Sequence, residues 1–165
     1  APSVSFLKKA TLDRLNLFRG DIVLLLASAD EGGRTTALVV LSGEVADDVA
    51  SVTEISLRNL GLSAGETVHL RLGEELPYAK KISLTPVDVH PDLVATLSEA
   101  KVFSDYAQPY FRDAYRPLTP GNLVRIEGTP PLELRVTACL PSRSVIVGPE
   151  TVIYIEGCTL TKAAR

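Results

Sequence analysis

The 165-residue chain is poor in the side chains that most often carry chemistry, with two cysteines and two histidines. Two cysteines, Cys139 and Cys158, are too few for a disulfide framework, and each lies among β-branched and apolar residues. We expect both to be reduced, partly buried, small hydrophobic residues of a cytosolic protein. His69 and His90 have no useful spacing to either cysteine, so no tetrahedral zinc site is predicted.

The sequence also lacks the short motifs of common active sites. It contains no GxxxxGK[ST] phosphate-binding loop, no GxGxxG dinucleotide fingerprint and no GxSxG nucleophile elbow. Its Ser, Cys and His residues form no plausible nucleophile–base pair. The acidic pair Asp47-Asp48 fits a solvated turn better than acid–base catalysis, because paired catalytic carboxylates need burial. We therefore expect a binding module without enzyme activity.

Charge and hydropathy argue against two further classes of partner. The chain has 17 Lys and Arg against 20 Asp and Glu, a net charge of −3, which argues against a basic face that binds nucleic acid. No apolar run approaches the roughly 18 residues that a membrane span needs. The sequence does not start with a basic and then apolar secretory leader. We expect a cytoplasmic protein with no direct insertion into membranes.

Short β-strands separated by turns dominate the order of the chain. The apolar runs Asp21–Ala27 and Thr36–Ser42 are joined by the polar, glycine-containing loop Ser28–Arg34, a pattern typical of a β-hairpin. Their continuous hydrophobicity predicts strands covered on both faces, as in a small closed barrel. Further strands are predicted at Thr67–Leu72, Lys81–Leu84, Leu123–Glu127, Glu133–Ala138, Ser144–Val147 and Thr151–Ile155.

Helices are predicted to be few and short. Thr11–Leu17 has apolar residues at helical spacing, with Thr11 as a candidate N-cap. Ile55–Leu60 predicts a short helix that ends at a Gly61 C-cap. Pro91–Ala107 predicts one helix or two helical turns, stopped by Pro109.

A short pattern of glycine and a polar residue before an apolar strand occurs three times. Leu15–Leu24 (LNLFRGDIVL) resembles Leu60–His69 (LGLSAGETVH), and Thr119–Ile126 (TPGNLVRI) is a third copy. The glycine permits the positive φ of a tight turn, and the acid can accept backbone N–H groups there. Interleaved copies of turn and strand build a pseudo-symmetric six-stranded barrel. A common Gly-Asx turn before a strand would explain the same sequence pattern without an internal repeat.

Two prolines, Pro86 and Pro91, flank the acidic Asp88 in a stretch that predicts a linker over 86–91. We therefore expect a first β-barrel subdomain over 1–88 and a smaller β subdomain over 92–161. The polar tail Thr161–Arg165 is predicted to be frayed.

Aromatic and arginine side chains cluster at two points, Leu17–Asp21 (LFRGD) and Pro109–Pro117 (PYFRDAYRP). The second segment holds three of the chain's nine Phe and Tyr residues. Tyr beside Arg is typical of protein interfaces. Taken alone, however, the two clusters are explained better by packing of these rings between the two subdomains.

Longer stretches are similar to a known family. They are LNLFRGDIVLLL (15–26), LVVLS (38–42), LRNLGL (57–62), PYAKKISLTP (77–86), PYFRDAYRPLTPGNLVRIEG (109–128) and VIVGPETVIYIEG (145–157). In this order they resemble the N-terminal, adaptor-binding domain of the valosin-containing protein family of AAA ATPases, the transitional endoplasmic reticulum ATPases. The likeness extends across nearly the whole chain, and LFRGD together with PYFxxAYRP is a specific pattern.

The resemblance implies a mainly β fold, namely a double-psi β-barrel followed by a small four-stranded β-clam with few short helices. It implies a non-catalytic recruiting domain of a hexameric segregase that acts on ubiquitinated proteins in the ubiquitin–proteasome system and in ER-associated degradation. ATP and Mg²⁺ would bind to ATPase domains outside this chain, which would need no cofactor or metal. The chain would be monomeric, and its parent cytoplasmic with nuclear and ER-surface pools.

The family binds its partners in a cleft between the two subdomains. The resemblance implies that the cleft takes ubiquitin-regulatory-X domains, the ubiquitin fusion degradation adaptor complex and Arg-rich helical motifs. Carried over by matching motif, its lining is Val4, Phe18, Arg19, Val39, Leu41, Tyr78, Tyr115 and Arg116. A second linear-motif site of the family lies on the β-clam, without residues that we can place.

Three features depart from the family pattern. The family has a strand before Val4 that this chain lacks, so we expect an incomplete first barrel. The stretch Val87–Gln108 is longer than usual, and Gly128–Leu132 replaces a segment with a basic residue that faces the ATPase ring. The alternatives are a sister double-psi domain of a ubiquitin-binding adaptor, a membrane-fusion ATPase or a peroxisomal ATPase. A double-psi enzyme would need an active Ser or paired Asp residues, and neither is evident.

Overall fold

The computed structural model describes residues 4–28, 34–72 and 75–157. The chain forms two compact units, residues 1–76 and 77–165, and is 34% strand and 20% helix. The mainly β fold class with few short helices is therefore confirmed. Cys158, the residues 29–33 of the predicted hairpin loop and the tail Thr161–Arg165 lie outside the described residues.

The boundary between the units lies between Leu76 and Pro77, earlier than the predicted linker over 86–91. The reason is strand β5 (Lys81–Val87), which pairs with strands of the second unit along its whole length. Pro86 fits in β5 because it lies beyond Leu84, the last residue that pairs with the neighbouring strand on one side. Proline is tolerated where a strand has such an open edge. The second unit is also the longer one.

The first unit is built on a four-stranded sheet in the order β1-β3-β2-β4. Strand β1 is parallel to β3, and β2 is antiparallel to both β3 and β4, which confirms the predicted pairing of the two apolar runs. The elements are β1 (Val4–Leu7), α1 (Lys9–Arg14), β2 (Ile22–Leu26), β3 (Thr35–Ser42), α2 (Glu54–Leu60) and β4 (His69–Arg71).

The sheet of the first unit buries one face more completely than the other. Leu38 and Val40 on β3 and Val23 and Leu25 on β2 are fully buried in the core. On the other face, Leu24, Val39 and Leu41 are only half-buried, although Ala37 and Leu26 are buried there as well. The prediction of strands covered on both faces was therefore too strong, because continuous hydrophobicity does not reveal how much protein lies over the second face.

The two helices of the first unit differ in how closely they follow the prediction. Helix α2 begins after Thr53, whose side chain accepts the Ser56 N–H, and ends at Gly61 in the left-handed conformation, as predicted. Helix α1 begins at Lys9, so Thr11 lies inside it as a buried residue and is not its N-cap.

The second unit contains a four-stranded sheet in the order β10-β5-β8-β7 and a two-stranded sheet of β6 and β9. Strand β10 is parallel to β5, whereas β8 is antiparallel to β5 and β7. Besides β5, the elements are α3 (Pro91–Val94), α4 (Glu99–Val102), a π-helical turn (Phe103–Ala107), α5 (Gln108–Phe111), β6 (Pro117–Leu118), β7 (Leu123–Ile126), β8 (Leu132–Leu140), β9 (Val145–Ile146) and β10 (Val152–Ile155).

The helical segment of the second unit continues through Pro109, which was predicted to stop it. Pro109 lies in the first turn of α5, directly after the π-helical turn, and proline is tolerated there because a first-turn N–H has no partner within the helix. The segment ends at Arg112, where ψ changes to 123°. Within the described ranges, no helix is both long enough and apolar enough to cross a bilayer.

The three glycine turns noticed in the sequence share one geometry. They are Phe18–Asp21, Ser63–Glu66 and Thr119–Asn122, and their glycines have φ of 95°, 90° and 89°. In each, the N–H of the fourth residue donates to the carbonyl of the first, at 3.0, 3.2 and 3.2 Å. The carboxylates of Asp21 and Glu66 also accept the N–H of the first residue, at 2.8 and 2.7 Å. The predicted roles of the glycine and the acid are therefore confirmed.

The first and third turns also attach to a neighbouring strand in the same way. The Gly20 N–H donates to the Val40 carbonyl at 2.8 Å, and the Val40 N–H donates to the Asp21 carbonyl at 2.8 Å. The corresponding bonds of Gly121 and Asn122 with Val136 are 2.7 and 2.9 Å long. Each turn thus fixes the start of one strand, β2 or β7, beside a fully buried valine.

We predict that Gly20→Ala lowers the free energy of unfolding by about 1–2 kcal/mol. No atom lies within 4 Å of a Cβ built at Gly20, so the loss comes from the φ of +95° and not from a clash. Gly20→Asn should lose less, since asparagine tolerates positive φ better. Urea unfolding measures both, and an unchanged midpoint for Gly20→Ala would contradict the assigned turn.

Candidate functional site

The predicted site residues fall into two sets, one in each compact unit. The first unit holds five of them, Val4, Phe18, Arg19, Val39 and Leu41. The second unit holds Tyr78, Tyr115 and Arg116. Each set has its own local surroundings.

The apolar residues of the first set share the half-buried face of the sheet. Val4 on β1 and Ile22 on β2 are both register partners of Val39, and Phe6 on β1 is the partner of Leu41. Side chains of directly paired residues project from the same face of a sheet. Phe6 is 41% exposed and was not among the predicted residues, although its spacing of two from Val4 indicated it.

Phe18 and Arg19 occupy the first two positions of the turn before β2. The Phe18 ring is 76% exposed, and Arg19 is exposed as well. The Asp21 carboxylate holds the Phe18 N–H at 2.8 Å, which fixes the backbone that carries the ring. A large apolar ring on a fixed turn is a suitable anchor for a protein partner.

The second set contains an exposed pair of tyrosines. The ring centroids of Tyr78 and Tyr115 lie 6.2 Å apart, with an angle of 62° between the ring planes. This edge-to-face arrangement is favourable for aromatic pairs. Tyr78 is nevertheless 63% exposed and Tyr115 48% exposed, so the pair keeps much of its surface available to a partner.

Backbone bonds and one glycine position the Tyr78 ring. Tyr78 forms a bridge with Ile146 of β9, whose N–H donates to the Pro77 carbonyl at 2.9 Å. The Ala79 N–H donates to the Ile146 carbonyl at 2.8 Å. A Cβ added at Gly148 would lie 3.0 Å from the Tyr78 Cδ1, so the ring in its present position packs closely against a residue without a side chain.

A groove of about 540 Å³ lies beside the tyrosine pair. It is lined by Tyr78, Ala79, Lys80, Tyr115, Gly148, Pro149, Glu150 and Thr151. The Thr151 hydroxyl accepts the Gly148 N–H at 2.9 Å and donates to the Ala79 carbonyl at 2.7 Å. One hydroxyl thereby ties the turn to the strand segment that carries Tyr78. The VGPET stretch belonged to the matching motifs, but its residues were not predicted as part of the site.

Tyr115 has unusual backbone geometry for a bulky residue. Its φ is +50°, and that of the nearby Asp113 is +53°. The Val147 N–H donates to the Arg116 carbonyl at 2.9 Å and so holds the next residue in place. Strained conformations of this kind persist where surrounding structure enforces them, and they are frequent at functional sites.

The Arg116 side chain contacts Tyr110 of its own unit in two ways. Its Nε donates to the Tyr110 carbonyl at 2.9 Å, and its guanidinium carbon lies 3.8 Å from the centroid of the Tyr110 ring. Tyr110 in turn contacts the buried Phe111 edge to face, at 4.9 Å between centroids. The contribution of Arg116 to partner binding stays a prediction, and its Nε and ring-facing surface already serve the fold.

Among the described residues, two buried side chains have shifted pKa values, Cys139 and Tyr106, and neither is a predicted site residue. Burial raises the pKa of the reduced Cys139 thiol to about 11. Burial, and next the Asp105 charge, raise the pKa of Tyr106, whose hydroxyl donates to the Pro130 carbonyl at 2.8 Å. Among the residues that the structure describes, no three His, Cys, Asp or Glu side chains are grouped so that they could hold a metal ion.

Both sets expose aromatic rings, and the first also exposes Arg19, which are residue types that are enriched at protein interfaces. A comparison with models of known protein families finds no match for the chain.

We expect Arg116→Ala to lower the free energy of unfolding by about 1–3 kcal/mol, because it removes a charge-assisted hydrogen bond and a cation–π contact. Arg116→Lys should recover part of the loss, since an ammonium group can occupy the same ring face. Urea unfolding of both variants provides the measurement. Wild-type stability in Arg116→Ala would show that these contacts contribute nothing to the fold.

The raised pKa predicts slow chemistry at Cys139. In a Cys158→Ser variant at pH 8, thiol reagents should react about 10-fold more slowly than with an exposed cysteine, because a roughly hundredfold lower thiolate fraction is partly offset by the greater nucleophilicity of a thiolate of higher pKa. The folded thiol holds its proton more tightly than the unfolded one. Its contribution to stability is therefore complete below about pH 9 and is lost as the pH rises towards 11. A reaction as fast as that of an exposed thiol would contradict its burial.

Proposed function

We propose that the chain is the non-catalytic, adaptor- and substrate-recruiting domain of a hexameric AAA segregase that acts on ubiquitinated proteins. Its fold would be the double-psi β-barrel and β-clam of the valosin-containing protein family. The observation that carries the proposal is the exposed edge-to-face pair of Tyr78 and Tyr115 beside an open groove. The motif LFRGD, with its exposed Phe18 on a fixed turn, supports it.

The energetics of the tyrosine pair favour a protein partner. Burial of one aromatic ring contributes ~1.5–3 kcal/mol, and a hydrogen bond to a charged group about as much. After the cost of association, a small partner would bind with roughly micromolar affinity. In a hexameric parent, several such contacts would add avidity.

The charges of the groove fit the partners expected for this family. Lys80 and Glu150 place one group of each sign beside the apolar tyrosine surfaces. A loop of a ubiquitin-regulatory-X domain can bury its aromatic ring there, and an arginine of an Arg-rich helical motif can pair with Glu150. The ubiquitin fusion degradation adaptor complex would use the same surface.

The remaining properties follow from this role. ATP and Mg²⁺ would bind to the ATPase domains of the parent, and the domain would act in the cytoplasm, with nuclear and ER-surface pools. Adaptor binding and not turnover would be its activity. ATP hydrolysis or peptide cleavage by this chain alone would contradict the proposal.

We predict that calorimetry with a ubiquitin-regulatory-X domain gives a micromolar Kd for the wild-type chain. Tyr78→Ala should weaken binding about tenfold or more, as is usual for a buried aromatic anchor, and Tyr78→Phe by about threefold at most. Tyr154→Ala is the matched control. Tyr154 is 48% exposed on β10 but does not line the groove, so its loss should leave the Kd unchanged.

Two outcomes of this experiment would contradict the proposed function. One is the absence of binding by the wild-type chain. The other is equal affinity of the wild type and Tyr78→Ala, provided that urea unfolding shows both to be folded. Arg116 is a poor first choice for this test because its loss is expected to affect stability as well.

A further inference from the structure

A second groove, of about 450 Å³, lies wholly within the first unit. One wall is the segment 45–52, the other is the end of α2 with the turn that follows it, and the buried Leu25 contributes to the lining. Its size falls within the range of roughly 300–1,000 Å³ that is typical of ligand sites. None of the predicted site residues lines it.

The lining of this groove is almost entirely apolar. Four of its residues, Ala50, Val52, Leu62 and Val68, are partly buried against the core of the unit. Val49, on the wall formed by 45–52, is 45% exposed. The groove therefore offers aliphatic surface that a partner could remove from water.

Glu66 is the one charged residue that lines the groove. Its carboxylate accepts the Ser63 N–H at 2.7 Å, which fixes its position, and it has no cationic partner among the described residues. Two other acids on the wall differ in this respect. Asp47 pairs with Lys8 at 3.2 Å, and Asp48 pairs with Arg14. Among the residues that the structure describes, the Glu66 carboxylate is thus the acid beside this aliphatic surface that forms no ion pair.

Hydrogen bonds within the unit hold the wall 45–52 in place. Phe6 and Ser51 exchange two backbone bonds of 2.9 Å, and the Val45 N–H donates to the Gly43 carbonyl at 3.0 Å. The ion pairs of Asp47 and Asp48 attach the same segment to the chain around α1. Because the wall is already ordered, a ligand would not have to order it on binding.

We propose that this groove binds a short apolar peptide segment that carries a lysine or arginine. Its aliphatic side chains would lie between the wall 45–52 and α2, and its cation would pair with Glu66. This site is separate from the tyrosine groove and does not depend on the function proposed there. The complementary charge distinguishes it from a site for anionic amphiphiles such as fatty acids.

The test compares two probes, acetyl-Leu-Val-Leu-Lys-amide and acetyl-Leu-Val-Leu-Glu-amide, titrated into isotope-labelled protein at low salt. The amide signals of Val49, Leu62 and Gly65 should shift, and the Lys peptide should bind about 3- to 5-fold more tightly than the Glu peptide, as expected for one solvent-accessible ion pair. Glu66→Gln keeps an acceptor for the Ser63 N–H and should reduce this ratio to about one. Glu75→Gln, an exposed acid of the same unit outside the lining, should leave the ratio unchanged.

Further variants separate this site from the tyrosine groove. Tyr78→Ala should not change peptide binding, and Glu66→Gln should not change the affinity for a ubiquitin-regulatory-X domain. The proposal is overturned if neither peptide shifts these signals, if both bind equally to the wild type, or if laurate binds more tightly than the Lys peptide. The proposal is also overturned if the wild type self-associates in sedimentation velocity and Glu66→Gln abolishes this association, because the groove would then bind a second copy of the chain.

Discussion

Within each unit, the start of one strand depends on the same constraint, a glycine in the left-handed region at the third position of a turn. At Gly20 and Gly121 this conformation directs the glycine N–H and the next carbonyl towards the same buried valine of a neighbouring strand. An L-residue with a side chain adopts such a φ at a cost, whereas glycine adopts it freely. Strands β2 and β7 therefore start at fixed positions, from which the pairing of each sheet follows.

The same fixed backbone explains how large rings can stay exposed without losing their orientation. The turn at Gly20 carries Phe18, and the Thr151 hydroxyl ties the turn at Gly148 to the segment that carries Tyr78. A ring on an ordered backbone loses little conformational entropy when a partner covers it. Each unit also has a buried hydrophobic core, whose stabilisation offsets the cost of leaving these rings in contact with water.

Local patterns in the sequence predicted much of the fold, and long-range contacts account for the rest. The apolar runs of β2 and β3 and the Gly61 cap follow from residues close together in the chain. The extension of β5 through Pro86 does not follow from nearby residues. It is possible because β10 pairs with β5 only as far as Leu84, so no neighbouring strand on that side needs an N–H from Pro86. The family motifs indicated Phe18, Tyr78 and Tyr115 as candidate site residues, and all three rings are exposed in the structure. The internal bonds of Arg116 were not predictable, since they depend on how the chain from Tyr110 to Arg116 turns back on itself.

The most direct test of the account is chemical-shift mapping of the isotope-labelled chain with an unlabelled ubiquitin-regulatory-X domain. If the tyrosine groove is the recruiting surface, the largest changes in the second unit will lie at Tyr78, Tyr115 and the turn from Gly148 to Thr151. Changes centred instead on Val152 and Tyr154, or no changes at saturating concentration, would contradict the central claim.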